Sequence, residues 1–360
     1  MKVLHIGEYV NGGVATYLKT LIKDSDKYGV DSYLLMSDSK SDKIWDIAPE
    51  KIFFYHYKRS VLNLFSAIKI INEYIKKINP DIVHVHSSWA GLFVRLPYLF
   101  KKRKIKIIYS SHGWAFLMDT SMIKKKVYVF IECILSLVTD VIITISQYEQ
   151  DQAIQYGLNK NKLIMVYNGV EDVKVQVKMH TRKMNPQEIN LLFVGRIDYQ
   201  KGLDLFLDMY YQESFAGIHL YVIGESVLDN VKLNNDEKTT YLGWVENKEL
   251  DAYYQECDAV IMPSRWEGFG LVAIESMRNS KPVIVSNRGA LPELVQNQVN
   301  GYVFNLEDKH SLEKILSNLT KAELKDMGET ARRIYLEKFI GLFMRQKMYA
   351  LYNRLKLGTY

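Results

Sequence analysis

Short apolar runs alternate along the whole chain with stretches in which apolar side chains recur every three or four positions. The runs predict strands at Lys2–Ile6, Ser32–Met36, Ile82–His86, Lys106–Ser110, Val141–Thr144 and Leu163–Val166. Helices are predicted between them, such as Gly13–Lys23 and Leu62–Ile78, the latter placing Leu62, Phe65, Ile68, Ile71 and Ile75 on one face. Residues 173–188 are polar, lack a period and read as a linker. Beyond them the alternation resumes: strand Asn190–Val194, helix Gly202–Tyr210, strands His219–Ile223 and Thr240–Leu242, helix Asn247–Glu256, strand Ala259–Met262, helix Leu271–Asn279 and strand Val283–Ser286. A final helical stretch runs from Leu324 to Leu355.

No segment repeats at a fixed period, yet one architecture occurs twice. Strand–helix alternation builds a parallel sheet covered on both faces. The expected fold class is therefore α/β, with two doubly wound, Rossmann-like domains facing a cleft. They span residues 1–172 and 189–340, and residues 341–360 form a C-terminal helix able to cross back to the first domain. At ~150 residues per domain, a chain of 360 residues accommodates both. Ligands of such sheets bind beyond the carboxyl ends of the strands, where strand order reverses.

Composition narrows the function classes. Hydrophobic residues at 48% and charged residues at 24% exclude a disordered or low-complexity chain. Two cysteines, Cys133 and Cys257, exclude a disulfide scaffold and cannot alone form a four-ligand zinc site. The start, Met1 to Gly7, has too short an apolar run and no cleavage pattern for a signal peptide, and reads as a buried strand. The longest apolar stretch, Val127–Ile145, contains Glu132 and Asp140, each costing ~2.5–3.5 kcal/mol near the middle of a span. No transmembrane helix is expected, and the location is read as cytoplasmic.

The net charge of +6 lies entirely in residues 1–172, where 23 Lys and Arg oppose 17 Asp and Glu; the remainder balances at 24 against 24. The excess gathers at Lys101-Lys102-Arg103-Lys104 with Lys106, at Lys124-Lys125-Lys126, and around Arg59, Lys69, Lys76 and Lys77. A basic face on one domain fits an anionic partner such as the inner surface of a membrane. Solvated helix ends and loops give the same composition. No nucleic-acid-binding motif accompanies the charge, so nucleic acid is not expected as a partner.

Four loops that follow strands carry the candidate chemistry. Gly12 and Gly13 precede a helix, where backbone N–H groups can approach an anion, although Asn-Gly-Gly is also an ordinary turn. The loop lacks the full Gly-x-Gly-x-x-Gly spacing of a dinucleotide fingerprint. In Gly195-Arg196-Ile197-Asp198-Tyr199-Gln200-Lys201-Gly202, Arg196 and Lys201 are five positions apart and can converge on one diphosphate. In Glu267-Gly268-Phe269-Gly270-Leu271, Glu267 sits in a glycine-punctuated turn opening a helix, and Glu275 lies one turn inside. His112, before Gly113 at a strand end, can point into the cleft.

Gly-Arg-x₄-Lys-Gly followed by Glu-Gly-Phe-Gly-Leu-x₃-Glu resembles the retaining glycosyltransferases of family 4, which have the GT-B fold. The segments Tyr241–Val245, Asp258–Ser264 and Arg288–Val295 look similar to that family too; in the first domain the likeness is thinner, through Gly12-Gly13 and His112-Gly113. The resemblance implies that Arg196 and Lys201, beside Gly195, hold the diphosphate of a nucleoside-diphosphate sugar. Glu275 would accept from the ribose hydroxyls, and Glu267 would contact the donor sugar. The amides around Gly268, Phe269, Gly270 and Leu271 would meet its hydroxyls and phosphates, His112 would lie beside the reacting carbon, and Gly12-Gly13 would line the phosphate and acceptor side. Residues near Trp244 and Val245 would hold the base. Ser280 departs from the family's usual glycine before Lys281-Pro282-Val283.

The implied activity is hexosyl transfer with retention from a UDP-sugar to a lipid-linked or growing glycan of a bacterial surface polysaccharide. The nucleotide-sugar is a substrate, and no cofactor or metal is expected. The only Asp-x-Asp triplet, Asp24-Ser25-Asp26, lies in a polar turn after a helix, so fixed cations and helix amides are expected to carry the leaving group's charge. No covalent nucleophile can be named, and an internal-return path fits equally well. His84 and His86 share one strand face but have no carboxylate or cysteine beside them in sequence for a metal site. A sugar-nucleotide epimerase, a phosphorylase or a non-catalytic sugar-nucleotide sensor on the same plan would bind similar anions.

Overall fold

The computed structural model describes residues 1–173, 184–213, 215–226 and 235–358. It divides into two compact units, Met1–Glu171 with Gly341–Tyr360, and Asp172–Ile340. Most of the expected linker, residues 174–183, lies outside the described residues.

The first unit runs β1 (Lys2–Gly7), α1 (Gly12–Ile22), β2 (Asp31–Ser37), β3 (Ile52–Tyr55), α2 (Val61–Ile78), β4 (Ile82–His86), α3 (Ser88–Arg95), β5 (Lys106–Ser110), α4 (Met122–Ser136), β6 (Val141–Thr144), α5 (Gln147–Gln155) and β7 (Leu163–Met165). Its strands form one parallel sheet in the order β3-β2-β1-β4-β5-β6-β7. Both faces are covered, which is why these strands read as continuous apolar runs. Along β1, Val3 packs into one core while Leu4 and Ile6 pack into the other, the period-two alternation of a strand.

The second unit runs β8 (Ile189–Val194), α6 (Leu203–Gln212), β9 (Ile218–Ile223), β10 (Thr239–Gly243), α7 (Asn247–Glu256), β11 (Ala259–Met262), α8 (Leu271–Arg278), β12 (Val283–Ser286), α9 (Leu291–Leu294), β13 (Gly301–Phe304), α10 (Lys309–Leu316) and α11 (Lys321–Lys338). Its parallel sheet has the order β10-β9-β8-β11-β12-β13. In each sheet the order reverses beside the first strand, so β1 and β8 flank the switch points where doubly wound sheets bind ligands. Among the described residues no helix is long and apolar enough to cross a membrane.

Several expectations need correction. The final helical stretch is two helices, α11 and α12 (Gly341–Leu357), separated by buried Phe339 and by Ile340. α12 packs Met344, Met348, Tyr349, Tyr352 and Leu355 into the first unit's core, and the Gly341 amide donates to the Val170 carbonyl at 2.9 Å. Strands β3 and β13 were not expected; both are partly exposed at a sheet edge, unlike the equally short β6, β11 and β12, which are buried throughout. On α2, Ile71 and Ile75 are buried, but Phe65 is exposed and Leu64 packs on the core in its place. Arg59 is no free cation: it donates to both carboxylate oxygens of buried Glu8, at 2.7 and 3.0 Å. Ser280 follows α8 at φ +58°, a backbone region that favours glycine, which is the physical sense of the family's usual residue there.

Candidate active site

In the second unit, the loops after β8 and β11 are joined by backbone as well as side chains. Gly202 opens α6 at φ +68°, and a Cβ there would stand 2.0 Å from the Pro263 carbonyl oxygen, so only glycine allows this approach. The Arg265 amide donates to the Gln200 carbonyl at 2.8 Å, and the Gln200 side chain donates to the Trp266 carbonyl at 3.2 Å. The approach of these loops fixes the distance between their charged groups.

Lys201 Nζ lies 3.0 and 3.1 Å from the two carboxylate oxygens of Glu267, with side chains only 18% and 11% exposed. Asp198 ties the loop's two cations together. Its Oδ1 accepts from the Lys201 amide at 3.0 Å, while its Oδ2 stands 3.0 Å from the Arg196 guanidinium. Arg196 also donates to the Gln200 side-chain oxygen at 3.1 Å, and its own side chain is 60% exposed. Both contacts engage the same terminal nitrogen, Nη2, so Arg196 is held through one arm of its fork while the rest of the exposed side chain stays within reach of an anion; Lys201 is paired with Glu267 and is mostly buried.

Glu267 is clamped from behind. The Ala290 amide donates to its carbonyl at 3.1 Å, and a Cβ on Gly289 (φ +61°) would fall 2.0 Å from that oxygen. Helix α8 then starts after Gly270, whose φ of +110° and missing side chain leave the helix start without a side-chain cap. Phe269 is buried against Phe339 at a ring-centroid distance of 6.0 Å, so its side chain anchors the turn. One turn into α8, Glu275 accepts from the Tyr254 hydroxyl at 3.2 Å. Burial pushes its carboxyl up to about 7, against the opposing pull of Arg278, the Tyr254 hydroxyl and Lys201; Asp251 pushes the same way as burial. Arg278 is itself paired with Asp251, which blunts its pull. At the end of β10, Trp244 is exposed and Val245 is buried, so the indole offers the open surface.

The other two expected groups belong to the first unit. Gly12 opens α1 at φ +51°, no side chain caps that helix, and its first turn holds no acidic residue. His112 follows β5 at φ +54°, a strained conformation for a residue with a Cβ. Its Nε2 lies 2.9 Å from Nδ1 of His86, and Nε2 of His86 lies 3.2 Å from Nδ1 of His5. Burial lowers the His112 ring to about 4 and that of His5 to about 3, and holds His84 and His86 well below the usual histidine value. All four are neutral imidazoles at neutral pH, so this row of hydrogen bonds is directional. If His112 Nε2 donates to His86, His86 must donate to His5, and Nδ1 of His112 is left as an acceptor.

His84 is held between the Tyr352 hydroxyl at 2.7 Å and the Ser110 hydroxyl at 2.8 Å. The ligand atoms of His5, His84 and His86 lie within 4.8 Å of one another, a grouping that could hold a metal ion. Both ring nitrogens of His84 and of His86 are engaged within the protein, so an ion would have to displace those bonds.

The structure therefore unites Arg196, Lys201, Glu267 and Glu275 in one unit, with Trp244 on the same sheet, and places His112 and Gly12-Gly13 in the other. Four supporting residues escape a reading of the sequence. Asp198, three before Lys201, has the spacing of a side-chain-closed turn and could have been recognised. Gln200 sits in the same quoted loop without a signal of its own. Tyr254 and His5 meet their partners only through folding.

Both units are similar to known proteins in sequence and in fold. Residues 11–174 match the family described as Glycosyltransferase Family 4, and residues 176–334 match that described as Glycosyl transferases group 1. The chain is 38% identical over 347 residues to an uncharacterized 41.2 kDa protein in the cps region of Klebsiella pneumoniae, covering 94% of this chain and 96% of that one. It is 30% identical over 264 residues to the O-antigen biosynthesis glycosyltransferase WbnH of Escherichia coli, covering 71% and 72%. Its fold is similar to that of Anabaena HepE solved with UDP-glucose, with a TM-score of 0.77 and 17% identity over 98% of this chain and 99% of that one. The chain belongs to glycosyltransferase family 4, and its two Rossmann-like domains are of the GT-B type.

Proposed function

We propose that this family 4 glycosyltransferase moves a hexosyl group, with retention, from a UDP-sugar to a hydroxyl of a lipid-linked or growing glycan in bacterial surface polysaccharide assembly, without a metal ion. The observation that carries the reading is the Arg196–Asp198–Lys201–Glu267 network, two cations and two carboxylates joined where the loop after β8 meets the turn before α8. Support for the donor comes from HepE, whose structure holds UDP-glucose, and support for the pathway comes from WbnH, an O-antigen enzyme.

Arg196, exposed and engaged through one nitrogen only, and Lys201 bind the diphosphate, and the amides from Gly268 to Leu271, in the turn leading into α8, add fixed donors where charge develops on the leaving group. An incoming diphosphate shares Lys201 with Glu267, which turns the carboxylate toward the sugar hydroxyls. Glu275 accepts from the ribose, Trp244 with the neighbouring Val245 backbone supports the base, and Gly12-Gly13 meets phosphate or acceptor. Because His112 is a neutral imidazole, it acts on the transferred sugar as a hydrogen-bonding group without adding charge. Family membership favours transfer over epimerase, phosphorylase or sensor readings. Incubation of the protein with UDP-[¹³C]glucose and other UDP-sugars, a polyprenyl-diphosphate-linked acceptor and excess EDTA tests this. An α-linked product from an α-linked donor is expected; absence of transfer with every sugar, or transfer only after a divalent ion is restored, would overturn it.

A further inference from the structure

Helix α4 has two apolar faces, and only one of them is used by the fold. Its inner face sends Tyr128, Val129, Cys133 and Leu135 into the core, with Glu132 buried in hydrogen bonds from Arg95 and Tyr109 at 2.9 Å each. On the opposite face Ile123, Val127, Phe130 and Ile131 recur at helical spacing, and all four are exposed. Ile123 is 77% and Phe130 65% exposed, and exposed Met122 and Leu137 extend the stripe at its two ends. Isolated exposed apolar residues are ordinary, but a contiguous row along one helix marks a surface that meets something apolar.

The charges around this stripe say what that is. At 100° per residue, Lys126 and Lys124 fall on its two edges, and both are exposed. At the far end, Lys162 donates to the carbonyls of Ser136 and Thr139 at 2.6 and 2.9 Å, and Arg103 donates to Asp140 at 2.6 Å. Arg103 thereby brings the run Lys101-Lys102-Arg103-Lys104, preceded by exposed Phe100, beside that end of the helix. The one carboxylate of α4, Glu132, is buried, so nothing acidic on the helix interrupts the outer face. A second copy of this chain is a poor occupant, because self-complementary pairing would lay lysine edge against lysine edge.

We infer that the outer face of α4 lies in the surface of an anionic phospholipid bilayer, with Ile123, Val127, Phe130 and Ile131 among the acyl chains and Lys124, Lys126 and the 101–104 run at the phosphates. Lysine stems extend along the apolar surface while their ammonium groups stay in the headgroup layer. This deepens the proposed reading, on which it rests, by specifying how an enzyme acting on a lipid-linked glycan reaches that acceptor.

Flotation of the full chain with phosphatidylglycerol-containing vesicles, against pure phosphatidylcholine vesicles, tests it. Binding to the anionic vesicles is expected. The double variant Ile123→Ser/Phe130→Ser should lower the vesicle partition coefficient by about tenfold or more, and Lys124→Gln/Lys126→Gln by about fivefold per lysine. Sugar transfer to a water-soluble acceptor fragment should stay at the wild-type rate in both variants, because neither touches the donor loops. In Phe130→Trp the indole emission should shift to the blue on adding anionic vesicles. Failure of the wild type to float, unchanged flotation of the serine variant, or a wild-type dimer that this variant abolishes would each overturn the inference. Wild-type flotation without transfer to any acceptor would instead overturn the proposed reaction.

Discussion

If Glu275 accepts from the ribose as proposed, its burial ties donor binding to pH. In the free protein, burial holds its carboxyl at about 7, against an ordinary value of 4.5. The ribose hydroxyls are donors and select the ionised carboxylate, so binding a nucleotide-sugar must expel the proton wherever Glu275 still holds one. Affinity is then full above the free-state value and falls as pH drops through it. Between about pH 8 and pH 6 the loss is about 10-fold, since the ionised fraction falls from roughly nine-tenths to one-tenth. UDP-glucose is the ligand of choice because its diphosphate diester does not titrate near neutrality. Calorimetric titration in two buffers of different ionisation enthalpy should show about 0.5 proton released per UDP-glucose at pH 7, and nearly one at pH 6. The same group affects stability with a definite sign. Its folded-state value is raised, so the stabilisation of the protonated form is fully present below about pH 4.5 and lost as pH rises through 7, to a total of about 3 kcal/mol. Glu275→Gln should remove that dependence and raise the melting temperature of the free protein at alkaline pH. A UDP-glucose affinity that does not change with pH, or that changes equally in Glu275→Gln, would refute the ribose assignment.

Lys201→Ala and Arg196→Ala should each reduce turnover by about 100-fold or more, the scale of losing one fixed donor to developing charge, read in single-turnover transfer assays. A rate near wild type in either would remove that cation from the leaving-group site. Replacing His86 by Leu leaves His112 without its ring partner. It should lower kcat by about 10-fold with little change in KM, whereas a purely structural role would appear as a lower melting temperature at unchanged kcat. Gly289→Ala drives a methyl group into the Glu267 carbonyl, and should cost about 1–3 kcal/mol in chemical denaturation while lowering transfer. A fully active, fully stable Gly289→Ala would show that the Glu267 backbone is not held in place there.

The amino-acid order alone carries the architecture, because strands covered on both faces need continuous apolar runs and the helices between them need a 3.6-residue period. Both periodicities are local. The positions of Arg196, Lys201, Glu267 and Glu275 beyond strand ends follow from the same local signals, and so did their resemblance to a family of sugar-transferring enzymes. Two edge strands and the break between α11 and α12 did not register: β3 and β13 are partly exposed at sheet edges, unlike the equally short buried β6, β11 and β12, and the break at Phe339–Ile340 has no proline or glycine before Gly341. Charges along the chain also misled in part: Arg59 counts toward a basic face in the sequence, yet in the fold it is spent on Glu8. The pairing of Lys201 with Glu267 joins residues 66 apart, and Tyr254 reaches Glu275 from another helix. The row from His112 through His86 to His5 crosses three strands. Hydrogen bonds and desolvation act over a few ångströms in space irrespective of chain separation, so protonation states and partners arise only once β1, β4 and β5 lie side by side and the loops after β8 and β11 touch.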